Sequence, residues 1–196
     1  MNETAISNAI YVKWLKILFY IAVADTVLST LNTFSILPGF FPWFGRVATL
    51  LQLAVLLRLS FLTKRYKKAG IFRLFALILP LGATIRYVSL VLTLAALVFS
   101  WLACYQEYRG HGELSYEKDL NLADWWNRLF ELSIILTFIL GLVCVAAVWL
   151  IGRLQMNAAL QSFLKNAVFA IPSLLVSVCF YLRYLRKTIT VFSEEN

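Results

Sequence analysis

Asp25 and Arg58 are the residues in this sequence with the clearest capacity for chemistry, because each lies inside a long apolar run. A charged side chain within hydrocarbon costs several kcal/mol unless it is paired, neutralised or hydrated, and such residues are functional candidates by default. Counted inward from the inner ends of the first two apolar runs at about 1.5 Å per residue, the two Cα positions differ in height by only about 7 Å. An arginine side chain closes most of that gap, so an Asp25–Arg58 pair is expected between the first two helices. Two roles fit such a pair: fixing helix register, or moving protons or ions.

Other chemistry is poorly supplied. His111 is the single histidine, and with only Glu107 and Glu113 beside it the donor set is too small for a zinc site. It reads as a residue of a surface loop. No nucleophile is accompanied by a histidine base, and neither a phosphate loop nor a Gly-rich dinucleotide turn occurs. The expectation is therefore no catalytic residue, no metal and no cofactor. Cys104, Cys144 and Cys179 all sit in apolar runs without C-x-x-C spacing. They read as small buried hydrophobes, with a Cys104–Cys179 disulfide near the outer face as the alternative.

These residues must be positioned by helices in a bilayer. Of 196 residues, 61% are hydrophobic and 14% charged, where soluble proteins carry about a quarter charged residues. A span needs about 20 apolar residues, which leaves room for roughly five. The chain thus reads as all-α, a polytopic transmembrane helical bundle in one domain over 1–196. About five spanning helices are expected, at 14–36, 47–62, 83–103, 129–151 and 163–182, with one interrupted or interfacial segment between the second and third. The net charge of +8 gathers at segment ends. That placement fits the headgroups of the lipid bilayer and excludes nucleic acid as a partner, which would need cations interleaved with stacking aromatics.

Orientation follows from Lys64-Arg65-Tyr66-Lys67-Lys68. Short loops rich in Lys and Arg stay on the cytoplasmic side, so 63–70 is expected as a basic cytoplasmic loop and the amino terminus lies on the same side. Pro38 to Gly45 reads as an outer turn. Residues 105–127 carry Glu107, Glu113, Glu117, Asp119 and Asp124 against Arg109 and Lys118. This stretch is expected as an acidic outer loop, turning at Gly110-His111-Gly112 and starting a helix near Asn121. Residues 71–81 are expected along the inner interface, with Arg86 snorkelling to inner headgroups.

An odd number of crossings leaves the basic tail Arg183 to Lys187 outside, against the positive-inside rule. Six crossings, made by splitting 71–105 at Gly82, would bring it inside, but the first half would then be only about a dozen residues, below spanning length. A second rival concerns the start of the chain, where Lys13, Lys16 and Ala22-Val23-Ala24 have the form of a signal peptide cleaved after residue 24.

The segment Tyr105-Gln106-Glu107-Tyr108-Arg109-Gly110-His111-Gly112, with Trp125-Trp126-Asn127-Arg128-Leu129-Phe130 and the junction Tyr66 to Phe72, resembles small multi-span membrane proteins of Gram-positive anaerobic bacteria. The resemblance implies a bacterial plasma membrane. It carries over no catalytic residues.

The functional expectation is an integral plasma-membrane protein with a non-catalytic role, an accessory or interaction subunit whose partner is another membrane protein or a second copy. The alternative is a small oligomeric transporter or channel using Asp25 and Arg58, in which Gln52 and Asn32 face the same hydrated cavity.

Overall fold

Apolar runs without water must bond their backbone groups within the segment, and helices do so. The computed structural model describes residues 3–33, 42–82, 86–153 and 157–194, and these are helical apart from short turns, with no strand among them. The helices are α1 (Glu3–Thr33), α2 (Pro42–Leu59), α3 (Lys64–Ile78), α4 (Arg86–Ser115), α5 (Leu120–Arg153), α6 (Ala158–Val176) and α7 (Arg183–Ser193). A 3₁₀ turn, Leu79–Gly82, follows α3, and a π-helical segment, Ser177–Leu182, joins α6 to α7. Among the described residues, three stretches are long and apolar enough to cross a membrane: Asn8–Asn32, Ser89–Ser115 and Leu120–Arg153.

The starts of α3, α5 and α6 are set by side-chain caps. Thr63, extended at φ −149° and ψ 143°, accepts a bond from the Arg65 backbone N–H and starts α3. Asp119 Oδ1 accepts from the Leu122 N–H at 3.0 Å and Asn157 Oδ1 from the Leu160 N–H at 2.8 Å, starting α5 and α6. The expected cap at Asn121 is thus replaced by Asp119, two residues earlier. Of the expected turn at Pro38 to Gly45, residues 38–41 lie outside the described residues and Pro42 to Gly45 open α2. The Arg86 side chain also lies outside them.

Consecutive helices from α2 to α6 run antiparallel, as their pairings show. Between α2 and α3, Gln52 meets Arg73 and Leu57 meets Gly70. Between α3 and α4, Arg65 meets Glu113, Arg73 meets Glu107 and Phe75 stacks on Phe99. Tyr105 meets Phe130 and Arg109 meets Asn127 between α4 and α5, and Cys144 meets Val168 between α5 and α6. The amino-terminal half of α1 packs on α7, Tyr11 edge-on to Phe192 with ring centroids 4.9 Å apart.

Two expectations are corrected by this pairing. The stretch 105–127 is not a loop: it is helical on both sides of a short turn over 116–119, and Gly110, His111 and Gly112 lie inside α4. The basic stretch 63–70 likewise forms the first half of α3, and it lies at the same end as 105–127, bridged by Arg65 to Glu113 at 2.7 Å. The expected opposition of a basic inner loop and an acidic outer loop does not occur. The glycines that suggested a turn serve close approach instead. A Cβ at Gly110 would stand 3.0 Å from Tyr66 Cε1, and one at Gly112 would stand 2.8 Å from Asn127 Oδ1.

Among the described residues, the buried hydrophobic cluster sits at this end. Tyr11, Leu15, Leu18, Leu56, Leu59, Tyr66, Leu122, Trp126, Leu129 and Leu185 are buried together. Toward the other end, α4 and α5 expose Leu90, Val91, Leu94, Phe138, Ile139, Leu142 and Val145. An exterior this apolar fits acyl chains rather than water. Overpacking a close approach costs about 1–3 kcal/mol. Gly110→Ala is therefore expected to lower the unfolding temperature in detergent, whereas Gly141→Ala, which meets nothing within 4 Å, is expected to leave it unchanged or higher.

Candidate functional site

On α4, Glu107 and His111 stand four residues apart and therefore share a face. That face is the inner one: Ala103, Glu107, Gly110, His111 and Ser115 are all buried. Both titratable side chains are fully enclosed, and each is the centre of a hydrogen-bonded group.

Glu107 is paired with Arg73 of α3, Nη2 to Oε2 at 2.7 Å, and the carboxylate side chain is 1% exposed. Its other oxygen accepts the hydroxyl of Tyr181 from the π-helical segment. Arg73 Nη1 donates to Gln52 Oε1 of α2. The pair is thus sustained by further hydrogen bonds on both partners, which a buried ion pair requires to offset its desolvation.

His111 Nδ1 lies 2.8 Å from the Tyr66 hydroxyl and 3.0 Å from that of Tyr11, and the two hydroxyls are 3.1 Å apart. Tyr66, in the basic stretch that begins α3, is 0% exposed. The His111 ring lies against the Trp126 indole with centroids 4.5 Å apart, and His111 Nε2 is buried without a hydrogen-bond partner among the described residues. Trp126 Nε1 donates to Thr188 Oγ1 of α7 at 2.8 Å. Side chains from α1, α2, α3, α4, α5, the π-helical segment and α7 therefore meet in one place.

The residues singled out from sequence are distributed differently. Arg58 and Asn32 are exposed and Asp25 is partly buried, and no ion pair joins Asp25 to Arg58 among the described residues. Gln52 is bonded to Arg73, so the four polar groups assigned to a hydrated path do not share a cavity. His111, expected on the surface, is 0% exposed. Cys104, Cys144 and Cys179 are free thiols. No group of three or more His, Cys, Asp or Glu that could hold a metal occurs among the described residues.

Sequence reasoning missed Glu107, His111, Arg73, Tyr11, Tyr66 and Tyr181 as one cluster. The signal available was the four-residue spacing of Ala103, Glu107, His111 and Ser115, continuous with the apolar run before it. No family model, curated protein or solved structure matches this chain.

The arrangement binds helices together chemically by charge and by hydroxyl bonding. Removing one partner of a buried ion pair costs about 3–5 kcal/mol because the other charge is stranded. Glu107→Gln and Arg73→Met are each expected to be strongly destabilising in detergent unfolding, and the double variant less so than their sum, by about 2 kcal/mol or more. Asp25→Asn and Arg58→Gln are expected to add without coupling.

Proposed function

We propose that this chain is an integral protein of a bacterial plasma membrane, crossing six times with both termini on the cytoplasmic side, and that it serves as a non-catalytic accessory or interaction subunit. The observation that carries the second part is the way the central polar groups are used. Glu107 and Arg73 are bonded to each other and to Tyr181 and Gln52, and the His111 Nδ1 group is bonded to two tyrosines. Those bonds connect helices instead of lining a path.

Six crossings are supported by the pairing of helices. The five reversals from α1 to α6 return α7 to the end where α1 begins, and Tyr11 meets Phe192 there. The objection that a split first half is too short loses its force because α3 begins at Lys64. At about 1.5 Å per residue in α3 and about 2.0 Å in the 3₁₀ turn, Lys64 to Gly82 extends roughly 30 Å, the thickness of a hydrocarbon core. Lys13, Lys16, Lys64, Lys67, Lys68, Arg183, Arg186 and Lys187 then all lie at one end, in accord with the positive-inside rule.

In a variant without native cysteines, Lys67→Cys, Glu117→Cys and Glu194→Cys are expected to react with an impermeant maleimide only after the cytoplasmic face is opened, and Asn157→Cys in intact cells. Labelling of Lys67→Cys and Glu117→Cys from opposite faces would sink the topology. For the role itself, the tagged protein purified from its own membrane in mild detergent is expected to bring a stoichiometric membrane-protein partner. Recovery of this chain alone would remove the accessory reading.

A further inference from the structure

The bundle uses only one side of α7. Leu185, Thr188 and Phe192 recur at spacings of three and four and are buried, and Thr188 accepts the bond from Trp126. Arg183, Arg186, Lys187 and Thr190 occupy the remaining face, and with Trp125 and Tyr184 they line an open groove of about 530 Å³. This is within the size range of small-molecule sites.

The lining contains three cations and no carboxylate. Lys187 reaches Asp119 at 3.7 Å, an exposed pair worth little. Arg183 and Arg186 are exposed, and neither has an ion-pair partner among the described residues. Planar guanidinium groups offer paired N–H donors that match phosphate oxygens. Across the groove, Trp125 is 42% exposed and its ring centroid is 5.6 Å from that of Tyr184. Amphipathic rings of this kind settle at headgroup level.

The continuation of α5 decides what class of phosphate this is. Trp125, Arg128, Leu132, Ile135, Ile139 and Leu142 are all exposed and recur at alternating spacings of three and four, so they form one stripe along the helix. It begins at the groove with an aromatic and a cation, passes the exposed carboxylates of Asp124 and Glu131 at its edge, and continues from Leu132 as hydrocarbon surface. A nucleic acid or a soluble phosphate has no use for such a track. An acyl chain does.

We infer that the groove between α7 and the start of α5 binds the phosphate headgroup of an anionic phospholipid, with Arg183 and Arg186 on the phosphate and the acyl chains along the α5 stripe. The inference rests on reading the chain as an integral membrane protein whose basic end meets the cytoplasmic leaflet, where anionic lipids attract clustered cations.

The test uses the full chain, purified in detergent and titrated separately with dioctanoyl phosphatidylglycerol, dioctanoyl phosphatidylcholine and inorganic phosphate, read by native mass spectrometry and by thermal unfolding. One phosphatidylglycerol is expected to be retained and to raise the unfolding temperature, with phosphatidylcholine binding about tenfold more weakly or worse. The double change Arg183→Gln/Arg186→Gln is expected to weaken phosphatidylglycerol by about tenfold or more without altering the lipid-free unfolding temperature. Arg153→Gln, at the far end against Trp149, is expected to leave binding unchanged. Equal binding of the two lipids, or undiminished binding in the double variant, would overturn the site. Inorganic phosphate binding as tightly as the lipid would overturn the lipid as its occupant. Tight, selective lipid binding alongside cysteine labelling of the reverse orientation would preserve the site and reject only the orientation.

Discussion

The buried pair of Glu107 and Arg73 is the contact on which the rest of the arrangement depends. Helices in an apolar medium gain nothing from burying leucine against leucine, since lipid tails serve equally well. What fixes one helix against its neighbour is then close backbone approach and polar bonding. The pair supplies the second between α3 and α4, and its remaining bonds extend to α2 through Gln52 and to the π-helical segment through Tyr181. Sliding α4 by one residue would break all of them together. His111, one turn further on the same face, repeats the arrangement with Tyr66 and Tyr11, and so brings in α1.

The two ends of the molecule differ for the same reason. At the basic end, Gly70, Gly110 and Gly112 allow side chains of the neighbouring helix to come within 3.4 Å of where a Cβ would stand, and the polar bonds lie among those contacts. Toward the other end, Gly141 and Gly152 meet nothing within 4 Å and the large apolar residues of α5 point outward. The bundle is clamped at one end and open along its flanks. The wider turn of the π-helical segment belongs to the clamp: it precedes α7 and carries Tyr181, while Leu185 and Thr188 of α7 lie one and two turns beyond.

The sequence made the helical class legible, together with the apolar stretches near Asn8–Asn32, Ser89–Ser115 and Leu120–Arg153. Long uninterrupted apolar runs admit little else. The clamp was not legible, and each failure has a local cause. Glu107, Glu113 and Asp119 made 105–127 resemble a loop because a carboxylate was counted by its own hydration and not by its partner. Gly110 and Gly112 suggested a turn because glycine serves both turns and close helix contacts, and only the neighbouring Tyr66 and Asn127 distinguish the two. For Asp25 and Arg58, matching depth gave no information on which faces of their helices they occupy, and Arg58 points outward.

Arg73 carries the same argument to topology. A hydropathy scale charges every arginine the full cost of leaving water, and by that measure the stretch from Lys64 to Gly82 is too polar to cross a bilayer. Within the bundle the account is different. Lys64, Lys67 and Lys68 cluster at the start of α3, where side chains can reach headgroups. Arg73, further along the helix, turns its charge inward onto Glu107 and away from lipid. The remaining outward positions, Ile71, Leu74, Phe75 and Ile78, are apolar. Once that interior cation is neutralised by its neighbour, the outward surface of α3 beyond Lys68 is no more polar than the exposed apolar surface of α4. On the proposed six-crossing reading, the parity of the chain, and with it the side on which the basic tail emerges, turns on one ion pair that no linear scale can register.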